Sequence, residues 1–163
     1  MVENYMKQSA LARLGLNARG VPEGPVGVEL SELAPSGHIA LRLDATNKKI
    51  CDITKTILGF TLPVDPNTVK TKGKKQALWL GPDEWLLTMP VEQTPKLLTA
   101  LSKALEGHHA AVFDVSDSRL TLCLSGVNAR EVLKKGCGLD LHQRNFKPGQ
   151  CAQSTLSMLI MKR

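Results

Sequence analysis

Aromatic residues are scarce in this chain of 163 residues, which contains two Trp, three Phe and one Tyr. Long apolar runs are also missing, since no stretch approaches the roughly 20 residues that a membrane-spanning helix needs. The first twenty residues, MVENYMKQSALARLGLNARG, contain neither the apolar segment nor the small-residue cleavage site of a secretory signal. These absences argue against a membrane span and a secretory signal, and we expect a cytoplasmic location.

Motifs for redox, metal and nucleotide chemistry are also missing. The four cysteines, Cys51, Cys123, Cys137 and Cys151, stand far apart and form no C-x-x-C pair, which excludes a zinc knuckle and a dithiol motif. They are predicted to be free thiols, most of them buried as small apolar side chains. No G-x-G-x-x-G follows a predicted strand, and no histidine stands at metal-ligand spacing from carboxylates or cysteines. The sequence therefore predicts no catalytic, cofactor-binding or metal-binding residue.

The formal net charge is +6, and the densest basic segment is NTVKTKGKK, which contains no acidic residue. A basic segment raises the question of nucleic-acid binding. However, no aromatic residue interleaves these lysines, and neither a recognition-helix nor an RNP pattern is present. A solvated loop, or a surface that faces an acidic partner protein, is therefore favoured over a nucleic-acid site.

Both tryptophans lie in the segment LWLGPDEWLL, from Leu78 to Leu87. The apolar residues alternate as in two strands, and Gly81-Pro82-Asp83 between them is typical of a tight turn. Two interpretations remain open, a hairpin that packs its aromatic surface against a helix, or at least one tryptophan at a partner interface. The candidate partner-interface residues are Trp79, Trp85, Lys70, Lys72, Lys74 and Lys75.

The chain also contains an internal repeat. The segment GHIALRLDATNKKICDITKTILGFTL aligns with SRLTLCLSGVNAREVLKKGCGLDL at an offset of 81 residues in the strand and 79 at the closing glycine. Upstream, VGVELSEL is similar to AAVFDVSD. Alternating leucines and isoleucines predict a strand with one buried face in each copy. The aligned strand residues are Ile39, Leu41 and Leu43 in the first copy and Leu120, Leu122 and Leu124 in the second.

Three helices are predicted from apolar stripes and end signals. The first ends at Gly59, and the second begins with Thr94 as its cap, has Pro95 at its first position and closes at Gly107. The third begins with Ser125 as its cap and ends at Gly136 in a left-handed conformation. The apolar stripes are Ile50, Ile53, Ile57 and Leu58 in the first helix, Leu97, Leu98, Leu101, Ala104 and Leu105 in the second, and Ala129, Val132 and Leu133 in the third.

This order of elements predicts an α+β fold with internally duplicated split βαβ units on a mixed or antiparallel sheet. Residues 1–27 are expected to form an arm or linker, and residues 28–163 a single domain with copies at about 28–107 and 108–163. The second copy lacks the hairpin and the closing helix of the first. We therefore expect either a longer natural chain or a sheet completed by another chain, because an unpaired apolar strand edge is a liability.

Four segments in order, ALWLGPDEWLL, AAVFDVSDSRLTLCLSG, AREVLKKGCGLDLH and FKPGQCAQSTL, resemble the gamma subunit family of heterotetrameric sarcosine oxidase. The resemblance runs from about Val28 to Leu159. That family is in turn similar to the folate-binding domain of the glycine-cleavage aminomethyltransferase, an internally duplicated α+β domain. One departure is Val127, which stands where the family generally has proline in SGPxAR. The helix should still form, because that proline only presets φ in the first turn.

The resemblance implies a non-catalytic subunit that packs against an alpha subunit, with beta and delta subunits in the same complex. Such complexes demethylate sarcosine oxidatively, yielding glycine, hydrogen peroxide and a one-carbon unit that passes to tetrahydrofolate. FAD, FMN, NAD, zinc and tetrahydrofolate are then expected in the other subunits. The alternative is an autonomous folate-binding module of the aminomethyltransferase type, which predicts a pocket, preferably with an acidic side chain at its base to hold the pterin.

A series of residues, Ser116-Asp117-Ser118-Arg119, suggests chemistry at first sight. A turn held by hydrogen bonds from Asp and Ser side chains to the backbone is the better interpretation, because these residues commonly make such local bonds. The adjacent pair His108-His109 is predicted to be solvated at the end of a helix.

Overall fold

The computed structural model describes residues 8–15 and 26–157, and the chain divides into two compact units. The five-stranded unit comprises residues 35–119 and 143–154. The two-stranded unit comprises the described residues of 1–34, 120–142 and 155–163. A single domain over 28–163, preceded by an arm over 1–27, stays a prediction.

Groups of two or three strands are separated by helices along the chain. The strands are β1 (Glu29–Glu32), β2 (Ser36–Leu43), β3 (Val69–Lys72), β4 (Lys75–Gly81), β5 (Glu84–Pro90), β6 (Ala110–Asp114) and β7 (Leu122–Ser125). The helices are α1 (Lys48–Leu58), α2 (Thr94–Ala104) and α3 (Ala129–Lys134). The predicted α+β class is confirmed, and every pair of strands among the described residues is antiparallel. No helix among the described residues is long and apolar enough to cross a membrane.

The five-stranded unit contains a sheet in the order β3-β4-β5-β2-β6. The predicted buried face of β2 is confirmed, because its three alternating apolar side chains are at most 3% exposed. Strands β4 and β5, helix α1, and helix α2 with the residue that follows it contribute the other buried apolar side chains of this core. The core residues are Ile39, Leu41, Leu43, Ile50, Leu58, Ala77, Trp85, Leu87, Met89, Leu97, Leu101 and Leu105.

Helix α1 ends where its sequence predicts, and its start is capped by Asn47, which the sequence did not single out. The side chain of Asn47 accepts a hydrogen bond from the backbone N–H of Ile50 at 3.4 Å, which satisfies one of the free donors of the first turn. Gly59 follows the helix at φ +82°, the left-handed conformation that glycine adopts without steric cost. The stop at Gly59 is therefore confirmed.

The start of α2 differs from the prediction. Thr94 is not a cap, because a short 3-10 turn at Val91–Gln93 leads into the helix and Thr94 is itself helical at φ −59°. A capping residue needs an extended backbone. The 3-10 turn gives Thr94 a helical backbone instead. The hydroxyl of Thr94 is buried and has no hydrogen-bond partner in the structure. Gly107, at φ +76°, lies just beyond the helix as predicted.

The two-stranded unit pairs β1 with β7 and adds the short helix α3. The buried face predicted for its strand is wrong, since Leu120 lies outside β7 at 39% exposed and Leu122 is 42% exposed. Among the described residues of this unit, only Leu141 has a buried hydrophobic side chain. The apolar alternation is present, but the described part of the unit has no layer that covers it.

Both predicted end signals of α3 are wrong. Ser125 ends β7, and Gly126 then makes a turn at φ +105°, so the helix begins only at Ala129 with no side-chain cap. Gly136 is not left-handed, because its φ is not positive. The helix does form with Val127 in place of the family's proline, as expected.

In each sheet, a strand of one copy of the repeat pairs with a strand of the other copy. Strand β2 of the first copy pairs with β6, which opens the second copy, and β7 of the second copy pairs with β1, which opens the first. This reciprocal pairing supports the internal repeat. The predicted last strand, TLSMLIM, falls mostly outside the described residues, although Leu156 forms an isolated bridge with Cys137.

Candidate functional site

Trp85 belongs to the core. Its side chain is 1% exposed, and its ring Nε1–H donates a hydrogen bond to the carbonyl oxygen of Pro63 at 2.7 Å. Trp79 lies directly opposite on β4 and packs half-buried against the same core. The predicted hairpin is confirmed. Because Trp85 offers no surface to a partner, the interface prediction for the tryptophans rests on Trp79.

The predicted basic loop is the β3–β4 hairpin, which turns at Gly73 with φ +59°. The Nζ of Lys72 lies 2.7 Å from the carbonyl oxygen of Gly59, and the Nζ of Lys75 lies 3.2 Å from that of Leu58. Both carbonyls belong to the C-terminal end of α1, where the helix dipole favours cations. Two of the four candidate lysines therefore stabilise a helix end. The interface prediction for the lysines rests on the exposed side chains of Lys70 and Lys74.

We expect Lys72→Ala and Lys75→Ala each to lower the free energy of unfolding by about 0.3–1 kcal/mol, the usual contribution of a cation at a helix C-terminus. Lys70→Ala is the matched control, because it removes a lysine from the same hairpin. Urea unfolding at low and high salt measures the difference, which salt should reduce. Equal losses for all three variants would show that the two helix-end contacts contribute nothing.

A shallow groove of about 540 Å³ lies at one end of the five-stranded sheet. Its charged groups are already engaged, since Arg42 and Asp83 form an exposed ion pair at 2.8 Å. The Oδ1 of Asp44 accepts hydrogen bonds from the side chain and the backbone of Thr46, and these bonds hold the pKa of Asp44 below its usual value. The lining residues are Arg42, Leu43, Asp44, Ala45, Thr46, Pro82, Asp83, His109, Ala110 and Ala111.

The carboxylates among the lining residues, Asp44 and Asp83, are exposed rather than buried at the base of the groove. The folate-binding alternative stays a prediction. Calorimetric titration of the purified chain with millimolar tetrahydrofolate tests it, and saturable heat would support it.

Ser116 holds the turn after β6. Its backbone N–H donates to Oδ1 of Asp114 at 2.9 Å, and its Oγ accepts from the backbone N–H of His38 at 2.9 Å. The Oγ of Ser118 donates to the carbonyl oxygen of Val115 at 2.9 Å. These local bonds confirm that the Ser-Asp-Ser-Arg series forms a turn.

His38 is a buried titratable residue that the sequence did not single out. Its side chain is 5% exposed, and Nδ1 has no hydrogen-bond partner in the structure. Burial lowers the pKa of His38, and the nearby charge of Arg119 lowers it further, against opposing effects of Ser36 and Asp114. The imidazole is therefore held neutral.

The lowered pKa of His38 predicts a loss of stability in mild acid. Below the ordinary pKa of about 6.5, the unfolded chain binds a proton at this histidine more readily than the folded chain does. The free energy of unfolding therefore falls as the pH decreases through this value. His38→Gln should flatten this slope, because glutamine does not titrate in this range. Urea unfolding from pH 7.5 to 5.5 measures the slope. An unaltered slope in His38→Gln would contradict the assignment.

The described residues contain no group of three His, Cys, Asp or Glu side chains that could hold a metal ion. All four cysteines are free and partly buried. Burial raises the pKa of Cys51 and of Cys151, which keeps both as unreactive thiols at neutral pH. The described geometry is that of an α+β fold in which the side-chain hydrogen bonds of Ser116, Ser118, Lys72 and Lys75 hold a turn and a helix end.

Comparison with known proteins assigns this α+β chain to a family. The sequence model of the sarcosine oxidase gamma subunit family matches residues 42–160, and the chain belongs to that family. The sarcosine oxidase subunit gamma of Corynebacterium sp. (strain U-96) is 42% identical over 80 residues, covering 49% of this chain and 38% of the relative. That of Corynebacterium sp. (strain P-1) is 33% identical over 131 residues, covering 80% of this chain and 63% of the relative.

The fold has a close counterpart among solved structures. A chain of the heterotetrameric sarcosine oxidase from Corynebacterium sp. U-96, in complex with pyrrole 2-carboxylate, matches with a TM-score of 0.80 and 32% identity. The match covers 92% of this chain and 76% of that one. The glycine cleavage system aminomethyltransferase T from Bartonella henselae matches with a TM-score of 0.48 and 15% identity. This chain spans 38% to 63% of the length of the curated relatives.

Proposed function

We propose that this chain is the non-catalytic gamma subunit of a heterotetrameric sarcosine oxidase, and that it packs against the alpha subunit in a complex with beta and delta subunits. The observation that carries the proposal is the match over 92% of the chain to a chain of such an enzyme, at 32% identity. A role within an assembly also fits the geometry, since the described polar groups mainly make local structural contacts.

The exposed apolar side chains of the two-stranded unit support the proposal that a partner subunit binds there. Large apolar side chains remain exposed on both of its strands and on its helix, and exposed apolar patches commonly mark interaction sites. Covering them with a partner would supply the layer that this sheet lacks among its described residues. The exposed residues are Leu30, Leu33, Leu120, Leu122, Val127, Val132 and Leu156.

The complex would demethylate sarcosine oxidatively to glycine and hydrogen peroxide and pass the one-carbon unit to tetrahydrofolate, in the cytoplasm. FAD, FMN, NAD, zinc and tetrahydrofolate would be held by the other subunits. This chain would contribute surface and rigidity. It would thereby link sarcosine catabolism to one-carbon metabolism only as part of the assembly, without nucleic-acid or membrane partners.

Affinity purification of the tagged chain from its native cells tests the proposal. The expected result is co-elution with three further subunits, with flavin absorbance and sarcosine-dependent release of hydrogen peroxide in the complex. The isolated chain should show neither property. Sarcosine turnover by the isolated chain would overturn the non-catalytic role, and elution of the chain alone from an extract that contains the other subunits would overturn the assembly.

A further inference from the structure

The two edge strands of the five-stranded sheet, β3 and β6, differ in how well they are protected from pairing with another strand. At the β3 edge, Thr68 forms a bridge with Gln150, and the backbone N–H of Val69 donates to the carbonyl oxygen of Gly149 at 3.2 Å. The backbone N–H of Cys151 donates to Asn67 at 2.9 Å. The segment 149–151 thus covers this edge. Lysines on β3 protect it further, because charged side chains oppose the addition of another strand.

The β6 edge has hydrogen-bonding groups that face outward. The backbone N–H of Val115 donates to the carbonyl oxygen of His38 at 2.9 Å, just beyond the ladder between β6 and β2. Because hydrogen bonds alternate along an antiparallel pair, Phe113 and Ala111 direct their N–H and C=O groups towards β2. Val112 therefore directs its own towards the open side. Within the described part of the chain, no strand pairs with β6 on that side.

The side chains of β6 offer no protection either. The strand reads Ala-Ala-Val-Phe before Asp114, with no lysine or proline, and its register with β2 is continuous. Ala110 and Val112 pack against the core. Phe113 is 63% exposed, a large exposure for one of only three phenylalanines. Natural proteins usually block such an edge, and an open one is suited to strand addition by a peptide segment.

We propose that β6 receives an extended segment of the alpha subunit, which pairs with the backbone of Val112 and places an apolar side chain beside Phe113. This inference rests on the proposed function and names the contact. The occupant is a partner subunit and not a second copy of this chain, because two copies that each carry a net charge of +6 repel one another. A partner with an acidic surface lacks that repulsion and also suits the exposed lysines of this unit.

Hydrogen exchange resolved at single amides tests the pairing. In the free chain, the amides of Ala111 and Phe113 should exchange slowly, because they are paired with β2, and that of Val112 should exchange fast. In the purified complex, the Val112 amide should exchange at least ten-fold more slowly. Docking through the face of the sheet would bury Phe113 without this alternating pattern.

A variant with a charged residue on β6 provides a second test, in which co-purification of the alpha subunit is measured. Phe113→Lys should reduce the amount of alpha subunit that co-purifies by at least ten-fold, with an unchanged circular dichroism spectrum and Tm. Val64→Lys is the matched control, since Val64 is 67% exposed in the same unit and should leave co-purification unaffected.

The outcomes separate this inference from the proposed function. If the wild-type chain forms no complex, the proposed function fails. If the complex forms and the exchange of the Val112 amide is the same in the free and bound chain, strand addition is overturned while the subunit assignment stands. Protection of Val112 in the free chain that increases with its concentration would identify a second copy as the occupant, and it would overturn the proposed one.

Discussion

Replacing Trp85 with alanine is expected to lower the free energy of unfolding by about 3–5 kcal/mol, the range found when a large aromatic residue is removed from a core. The ring of Trp85 is buried against the core of the five-stranded unit, so its loss leaves a cavity that the neighbouring side chains only partly fill. The carbonyl oxygen of Pro63 also loses the donor that now lies 2.7 Å away. A typical domain has only about 5–15 kcal/mol of stability, so this variant should be largely unfolded in mild urea.

Two variants separate the causes of this loss. Trp85→Phe keeps most of the apolar volume and removes the donor to Pro63, so it should cost about 1–3 kcal/mol. Trp79→Ala removes the half-buried tryptophan of the opposite strand and should cost less than Trp85→Ala. Urea unfolding followed by circular dichroism measures all three. Equal costs for the two alanine variants would contradict the placement of Trp85 in the core.

The parts of the fold that the sequence predicted correctly depend on local signals. Strand β2 shows the alternation of a half-buried strand, and α1 has an apolar stripe that ends at Gly59. The β4–β5 hairpin turns at Gly81-Pro82-Asp83 between two apolar strands. Each of these patterns is complete within about ten residues, so no distant segment was needed to interpret it.

The wrong predictions concern features that neighbouring segments decide. Thr94 has the composition of a cap, but the 3-10 turn before it makes it helical. The leucines of β7 alternate like those of β2, yet Leu122 is exposed because burial requires a covering layer. Periodicity shows that a strand has an apolar face. It does not show whether the same chain supplies the layer that covers that face.

The candidate site residues show the same limit. Composition singled out Trp85, Lys72 and Lys75 as unusual, but their partners are carbonyl groups 22, 13 and 17 residues away in the sequence. The uncharged run of β6 was visible in AAVF, whereas its position at an open edge depends on the strand order. Sequence thus identified Trp85, Lys72 and Lys75 as unusual but not His38, and the fold determined what each of them does.

Gly37→Ala is expected to lower the free energy of unfolding by about 3 kcal/mol, at the upper end of the cost of overpacking a core. Gly37 lies on β2 opposite Met89. A methyl group at this position would overlap the hydroxyl oxygen of Thr94 and would lie 3.4 Å from Cγ of Met89. Since Thr94 is 2% exposed and lies at the start of α2, the helix would have to move away from the sheet.

A double-mutant cycle with two replacements of Thr94 identifies the clash as the cause. Thr94→Ala removes the overlapping atom, so Gly37→Ala should cost about 1–2 kcal/mol less in that background than in the wild type. Thr94→Val is the matched control, because it keeps an atom at the position of the hydroxyl and should rescue nothing. By itself, Thr94→Val should be neutral or stabilising, because it removes a buried hydroxyl that has no partner. Additive costs for Gly37→Ala and Thr94→Ala would show that the contact between β2 and α2 does not require glycine at this position.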